Sequence, residues 1–145
     1  MRYREVIHAP LWLLGLIYFF SFSLVISIWA ALGNNPALVT LAVLTLSLIV
    51  LYFKTALVIE VDQNELRVGH AHLAHKHIGQ INVLNNQEFR RIRTRDADPA
   101  AFLAIRFWSP KAIQLYVDDE RDSTPYWLIS TTHGNELLKA LKVQT

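Results

Sequence analysis

The 145-residue chain contains no cysteine, which excludes disulfides and thiolate metal sites. Charge is also scarce. Asp, Glu, Lys and Arg make up 18% of the residues, against about 25% in an ordinary soluble domain, so part of the chain is expected to be solvated by lipid. The excess of 14 Lys and Arg over 12 Asp and Glu leaves a formal charge of only +2, too mild for a nucleic-acid partner. The length leaves room for one folded domain at most once a membrane segment is set aside.

What replaces charge is concentrated in the first third. Pro10 to Leu32, PLWLLGLIYFFSFSLVISIWAAL, has no Lys, Arg, Asp, Glu or His, and neither does Pro36 to Phe53, PALVTLAVLTLSLIVLYF. As helices these runs extend about 34 and 27 Å, against a hydrocarbon core of about 30 Å. Gly33-Asn34-Asn35 has turn chemistry, and Pro36 suits the first position of a returning helix. The expectation is a transmembrane hairpin over residues 1–54, with spans at about 10–32 and 36–53. A cleaved signal peptide would have a shorter apolar core and a better exit site than Ile28-Trp29-Ala30. A buried soluble hairpin would need a large protein around it. Arg2, Arg4 and Lys54 flank the spans while the connector is uncharged, so the positive-inside rule puts both termini in the cytoplasm of a multi-pass cell-membrane protein. Ser23 and Ser27 form a small-xxx-small pair through which the helices would approach.

From Lys54 the period changes, and residues 55–145 read as a cytoplasmic β-domain. Thr55 to Val61 and Glu65 to Val68 are strands separated by the turn Asp62-Gln63-Asn64, and Gly69-His70-Ala71 is a second turn. A third strand is expected to run from His72 through Leu84. A short helix capped by Asn86 would place Phe89 and Ile92 on one face. Asp98-Pro99 reads as the cap of another helix over AAFLAIRFW. Ala112 to Val117 and Pro125 to Thr131 are strands flanking an acidic turn, and a terminal helix presents Leu137, Leu138 and Leu141. The fold class is α+β: a helical hairpin, then a small antiparallel barrel or bent sheet plugged by a C-terminal helix. This order is similar to that of pleckstrin-homology-like domains.

A second resemblance covers essentially the whole length. Tyr3 to Glu5 (YRE), the two spans, Glu65 to Gly69 (ELRVG), Asp98 to Phe102 (DPAAF) and above all Thr124 to Thr131 (TPYWLIST) before a Leu-rich helix resemble a family of small actinobacterial two-span membrane proteins of unknown function, domain of unknown function 3093. The resemblance implies a pleckstrin-homology-like domain and an actinobacterial source. It supplies no catalytic residue.

The densest chemistry is HAHLAHKH, His70 to His77. Ligands on one strand need even spacing, which pairs His70 with His72 and His75 with His77 on opposite faces. A turn at Gly69-His70 leaves the other three split. In the family this segment carries acidic, basic and apolar residues instead, so no metal site is expected, and no cofactor.

Arg90, Arg91, Arg93 and Arg95 form a basic cluster able to hold anionic lipid headgroups; the bland reading is a solvated loop balanced by Asp96 and Asp98. Asp118, Asp119, Glu120 and Asp122 would serve an alternative reading, a membrane-face enzyme, but their spacing fits no cation loop and acidic residues commonly just form turns. Ser123, Ser130 and His133 lack any nucleophile motif. Tyr126, Trp127 and Ile129 belong to a strand apolar on both faces, which calls either for core packing or for a partner protein. The sequence reading is a non-enzymatic membrane protein with no catalytic residue, whose domain binds a protein partner or lipid headgroups.

Overall fold

A computed structural model describes residues 3–143. Its order is a short strand, two long helices, four strands, a helix, three strands and a last helix. The chain forms two compact units, residues 8–56 and residues 1–7 with 57–145.

In the first unit, α1 (Leu11–Leu32) and α2 (Asn34–Lys54) are two helices long and apolar enough to cross a membrane. Gly33 turns the chain between them with φ +86°, a conformation that favours glycine. Trp29 Nε1 closes the turn by donating to Asn34 Oδ1 at 2.6 Å. The second helix starts two residues earlier than expected, so Pro36 lies in its first turn, where its missing N–H costs nothing. Val25 and Ala37 are the buried residues of the two helices. The expected role of Ser23 and Ser27 is not met. Both are exposed, and their hydroxyls donate to Phe20 O and Ser23 O of their own helix.

The second unit is built of two four-stranded sheets. In the first, β1 (Tyr3–Ile7), β2 (Leu57–Val61), β3 (Glu65–Val68) and β4 (Ala71–Ala74) form an antiparallel meander. Alternation sends Ile7, Leu57, Ile59, Val61, Leu66, Val68 and Leu73 inward, while the cross-strand pair Arg4 and Glu60 meets outside at 3.2 Å. Gly69 turns β3 into β4 with φ +61°. The second sheet has the order β5 (Ile78–Leu84), β7 (Ala112–Val117), β8 (Tyr126–Ser130), β6 (Phe102–Ala104). The helices of this unit are α3 (Asn86–Thr94) and α4 (Gly134–Lys142).

Both sheets and α4 share one core, in which Trp127 and Ile129 of β8 meet Leu137 and Leu141 of α4. The opposite face of β8, Tyr126 and Leu128, packs with Leu84, Ala112 and Phe89 of α3. A helix therefore covers the face for which a partner protein was the alternative. Tyr126, Trp127 and Ile129 are all buried and are packing residues rather than an exposed surface.

Four expectations fail for identifiable reasons. Residues 1–54 do not separate from 55–145: β1 pairs with β2, Ile7 against Leu57, and belongs with the domain. The strand from His72 to Leu84 is two strands in different sheets. A short 3-10 turn, His75–His77, carries the chain across, held by His75 N donating to Asn64 O and by a 2.9 Å contact of its Nε2 with Asp62 O. The helix after Asp98 does not form. The residues that suit an N-cap also suit a turn: Asp98 Oδ1 accepts from Ala100 N and Asp98 O from Ala101 N. Phe102 then pairs in parallel with Trp127, their rings 4.4 Å apart. Finally, α3 is capped one residue early, by Asn85, which exchanges a reciprocal pair of bonds with Glu88, a capping box.

Candidate functional site

A carboxylate on β1 accepts four hydrogen bonds from protein donors. Alternation turns Glu5 inward beside Ile7, where it is 8% exposed. A charge there needs a full set of donors, and it has them. Oε2 accepts from Tyr3 Oη at 2.8 Å and Thr131 Oγ1 at 2.6 Å; Oε1 accepts from Thr132 N at 2.7 Å and Thr132 Oγ1 at 2.5 Å. Burial pushes the carboxyl up, but the bonds from Thr131, Thr132 and Tyr3 together outweigh it and hold Glu5 below the usual carboxylate range. Burial first, and then the bond to Glu5, push the Tyr3 hydroxyl well above its ordinary value. Glu5 is therefore an anion and Tyr3 a neutral donor.

The network fixes the next residue. The Thr132 hydroxyl has one proton, which goes to Glu5, so its oxygen accepts from His133 Nδ1 at 2.8 Å. A neutral His133 thus carries its proton on Nδ1, with Nδ1 also 3.7 Å from Glu5 Oε1, which makes Nε2 the acceptor nitrogen of a side chain 59% exposed. The backbone is held too, His133 N donating to Thr131 Oγ1 at 3.1 Å.

His133 and Thr132 line a cleft of about 630 Å³. Its apolar wall is Val83, Leu84, Pro110 and Ala112; Lys111 and Glu136 supply charge, and Asn85 and Asn135 amides. Lys111 is fixed through its carbonyl, which accepts from Thr131 N and Ser109 Oγ. The size lies within the range of small-molecule sites, and most of the lining side chains are polar.

The residues singled out from sequence are distributed differently. On α3, at about 100° per residue, Arg90 and Arg93 fall about 60° apart and Arg91 about 100° from Arg90, while Arg95 follows the helix as its C-cap. Arg91 is paired with Asp96 at 2.9 Å and Arg93 stacks over Phe89 at 5.2 Å. In the acidic stretch, Asp119 Oδ1 accepts from Arg121 N and Asp122 Oδ1 from Thr124 N, which is turn chemistry. Hydrogen bonds from Thr124 hold Asp122 below its ordinary range. Ser130 Oγ accepts from Arg106 N, and His133 bonds to Thr132, so serine and histidine form no dyad.

The four histidines do not converge. His70 is in the turn and His72 is exposed on β4. His75 is buried against Asp62 O, an acceptor only, so its Nε2 donates and its Nδ1 has no partner. His77 Nδ1 lies 3.4 Å from Asp119 Oδ2. Among the described residues no three His, Asp or Glu side chains form a set that could hold a metal ion.

Sequence reasoning weighed His133 only beside serine and missed Glu5, Tyr3 and Thr132. The available signal was the two stretches YRE and TPYWLIST, at opposite ends of the chain. The structure joins them through Glu5 and Thr131.

Residues 2–141 match the model of the family described as protein of unknown function (DUF3093). The chain belongs to the DUF3093 family. No curated protein and no solved structure matches it. The DUF3093 match spans both the YRE strand and the Thr131-Thr132-His133 corner, so the Glu5 network lies wholly inside the family's extent.

Proposed function

We propose that the protein is a membrane-anchored, non-enzymatic binding protein whose two-sheet domain lies in the cytoplasm. The observation that carries this is the pairing of β1 with β2, the strands on either side of the helical hairpin. Strands in one sheet share one side of a membrane, so the hairpin must cross twice or not at all. Its helices have the length and composition to cross, and basic Arg2, Arg4 and Lys54 with an uncharged Gly33-Asn34-Asn35 connector assign the flanks to the cytoplasm. The order of two small sheets closed by a C-terminal helix favours a pleckstrin-homology-like domain, with an eighth strand contributed from before the hairpin. An actinobacterial source remains the implication of the family resemblance.

The ligands proposed are anionic headgroups or a protein partner. With Arg91 paired to Asp96 and Arg93 stacked on Phe89, Arg90 and Arg95 are the cluster members proposed for this contact, worth about 1 kcal/mol each near an anionic surface; that is enough to orient a tethered domain and too little to recruit a free one. Core packing of Tyr126, Trp127 and Ile129 removes the partner surface expected there. An enzyme acting through Asp118 to Asp122 loses support because Asp119 and Asp122 hold the turn by accepting from Arg121 N and Thr124 N. Single cysteines at Asn34 and Ser123 test the topology: an impermeant reagent should label intact cells only at position 34, and the reverse pattern rejects the reading.

A further inference from the structure

We propose that the cleft beside His133 binds the phosphate of a phosphomonoester, with Lys111 and His133 as its ligands, a site beyond the anchoring and surface-contact role above and independent of it. Three features carry this. The cleft has the volume of a small-molecule site and, at the exposed Val83 and Pro110, apolar surface for an organic substituent. Its two basic side chains are presented from fixed backbone, because Lys111 O accepts from Thr131 N while Thr131 and Thr132 are bonded to Glu5. The buried Glu5 carboxylate is used up on four donors, so its function at the cleft is to orient: through Thr132 it sets the Nδ1–H tautomer of His133 and makes Nε2 the acceptor nitrogen.

The chemistry of Nε2 selects the class of anion. A neutral imidazole there accepts a hydrogen bond, which the singly protonated form of a phosphomonoester can donate. A phosphomonoester, with its second ionisation at about pH 6, exchanges between one and two charges near neutrality. The proton of the monoanion, on a phosphate oxygen, then completes the bond to Nε2. Sulfate and carboxylate hold no proton at that pH. Lys111 adds a compact positive charge. Glu136 is the one carboxylate on the lining and opposes an anion, so that hydrogen bond and Lys111 are both required. A membrane lipid with a monoester headgroup and a soluble phosphomonoester offer the same group.

The test uses the full chain in phosphocholine nanodiscs, with the His133 imidazole followed by NMR and assigned by its loss in His133→Asn. Inorganic phosphate at pH 7 should shift the resonance saturably, and Lys111→Gln should weaken binding at least tenfold while thermal melting stays unchanged, the lysine being an exposed side chain. Sulfate should bind at least tenfold more weakly than phosphate. Nanodiscs containing phosphatidic acid identify the source: the shifted resonance before any phosphate is added marks the bilayer, and its appearance only on addition marks a soluble ester. No saturable shift, equal affinity for sulfate, or full affinity in Lys111→Gln would each overturn the assignment.

Discussion

Thr131 Oγ1 donates a 2.6 Å hydrogen bond to Glu5 Oε2 across 126 positions of chain, tying the first strand to the corner that leads into the last helix. Removing the acceptor strands the donors at once. Glu5→Ala leaves the Thr131 hydroxyl and the Thr132 N–H without their partner, for a loss of about 3 kcal/mol. Glu5→Gln keeps one carbonyl acceptor and should lose less. Urea unfolding of both variants against the parent checks the order; equal stability of all three would mean the network contributes nothing.

The same carboxylate predicts acid sensitivity. Its folded pKa is lowered, so the folded state binds the proton less readily than the unfolded chain. The stabilisation is fully present above the unfolded value of about 4.3 and disappears as pH falls through the lower folded value. The parent should therefore lose more stability than Glu5→Gln between about pH 5 and pH 3. Parallel pH profiles in the two proteins would contradict this.

Ile7 and Leu57 are direct partners in the β1–β2 ladder, although 49 residues, positions 8–56, lie between them in the chain. Replacing those residues by Asn-Gly, which favours the two-residue hairpin turn, should yield a soluble domain with cooperative unfolding. A fragment beginning at Leu57 lacks Ile7 and Glu5 and should not fold cooperatively. Circular dichroism and urea titration distinguish the two; a stable fragment without β1 would show that the strand is dispensable.

Trp127 is 5% exposed between Phe102 and the shared core. Trp127→Ala should cost about 4 kcal/mol, and Phe89→Ala on the opposite side of the sheet about 3 kcal/mol. Arg90→Gln, on the exposed face of α3, should change stability by less than about 0.5 kcal/mol. Denaturant midpoints give all three; an inconsequential Trp127→Ala would return that strand to the list of surfaces.

Features set by neighbours along the chain were legible in the sequence. The two long apolar helices follow from unbroken apolar runs, β2, β3 and β7 from local alternation and turn residues, and α4 from Leu137 and Leu141 one helical turn apart. The chain itself could not announce where its ambiguous segments would find partners. Tyr3 to Ile7 is too short to declare itself a strand until β2 supplies the ladder, and Phe102 to Ala104 becomes a strand only against the open edge of β8. His75 ends its strand because Asn64 and Asp62, distant in sequence, bind its backbone and ring. Glu5 reads as a flanking charge and becomes a buried anion because Thr131 and Thr132 arrive to solvate it. Local periodicity fixes which face of an element is apolar; which element meets that face, and which polar group is thereby buried, is decided by pairing between remote segments, whose energy exists only once the chain has closed.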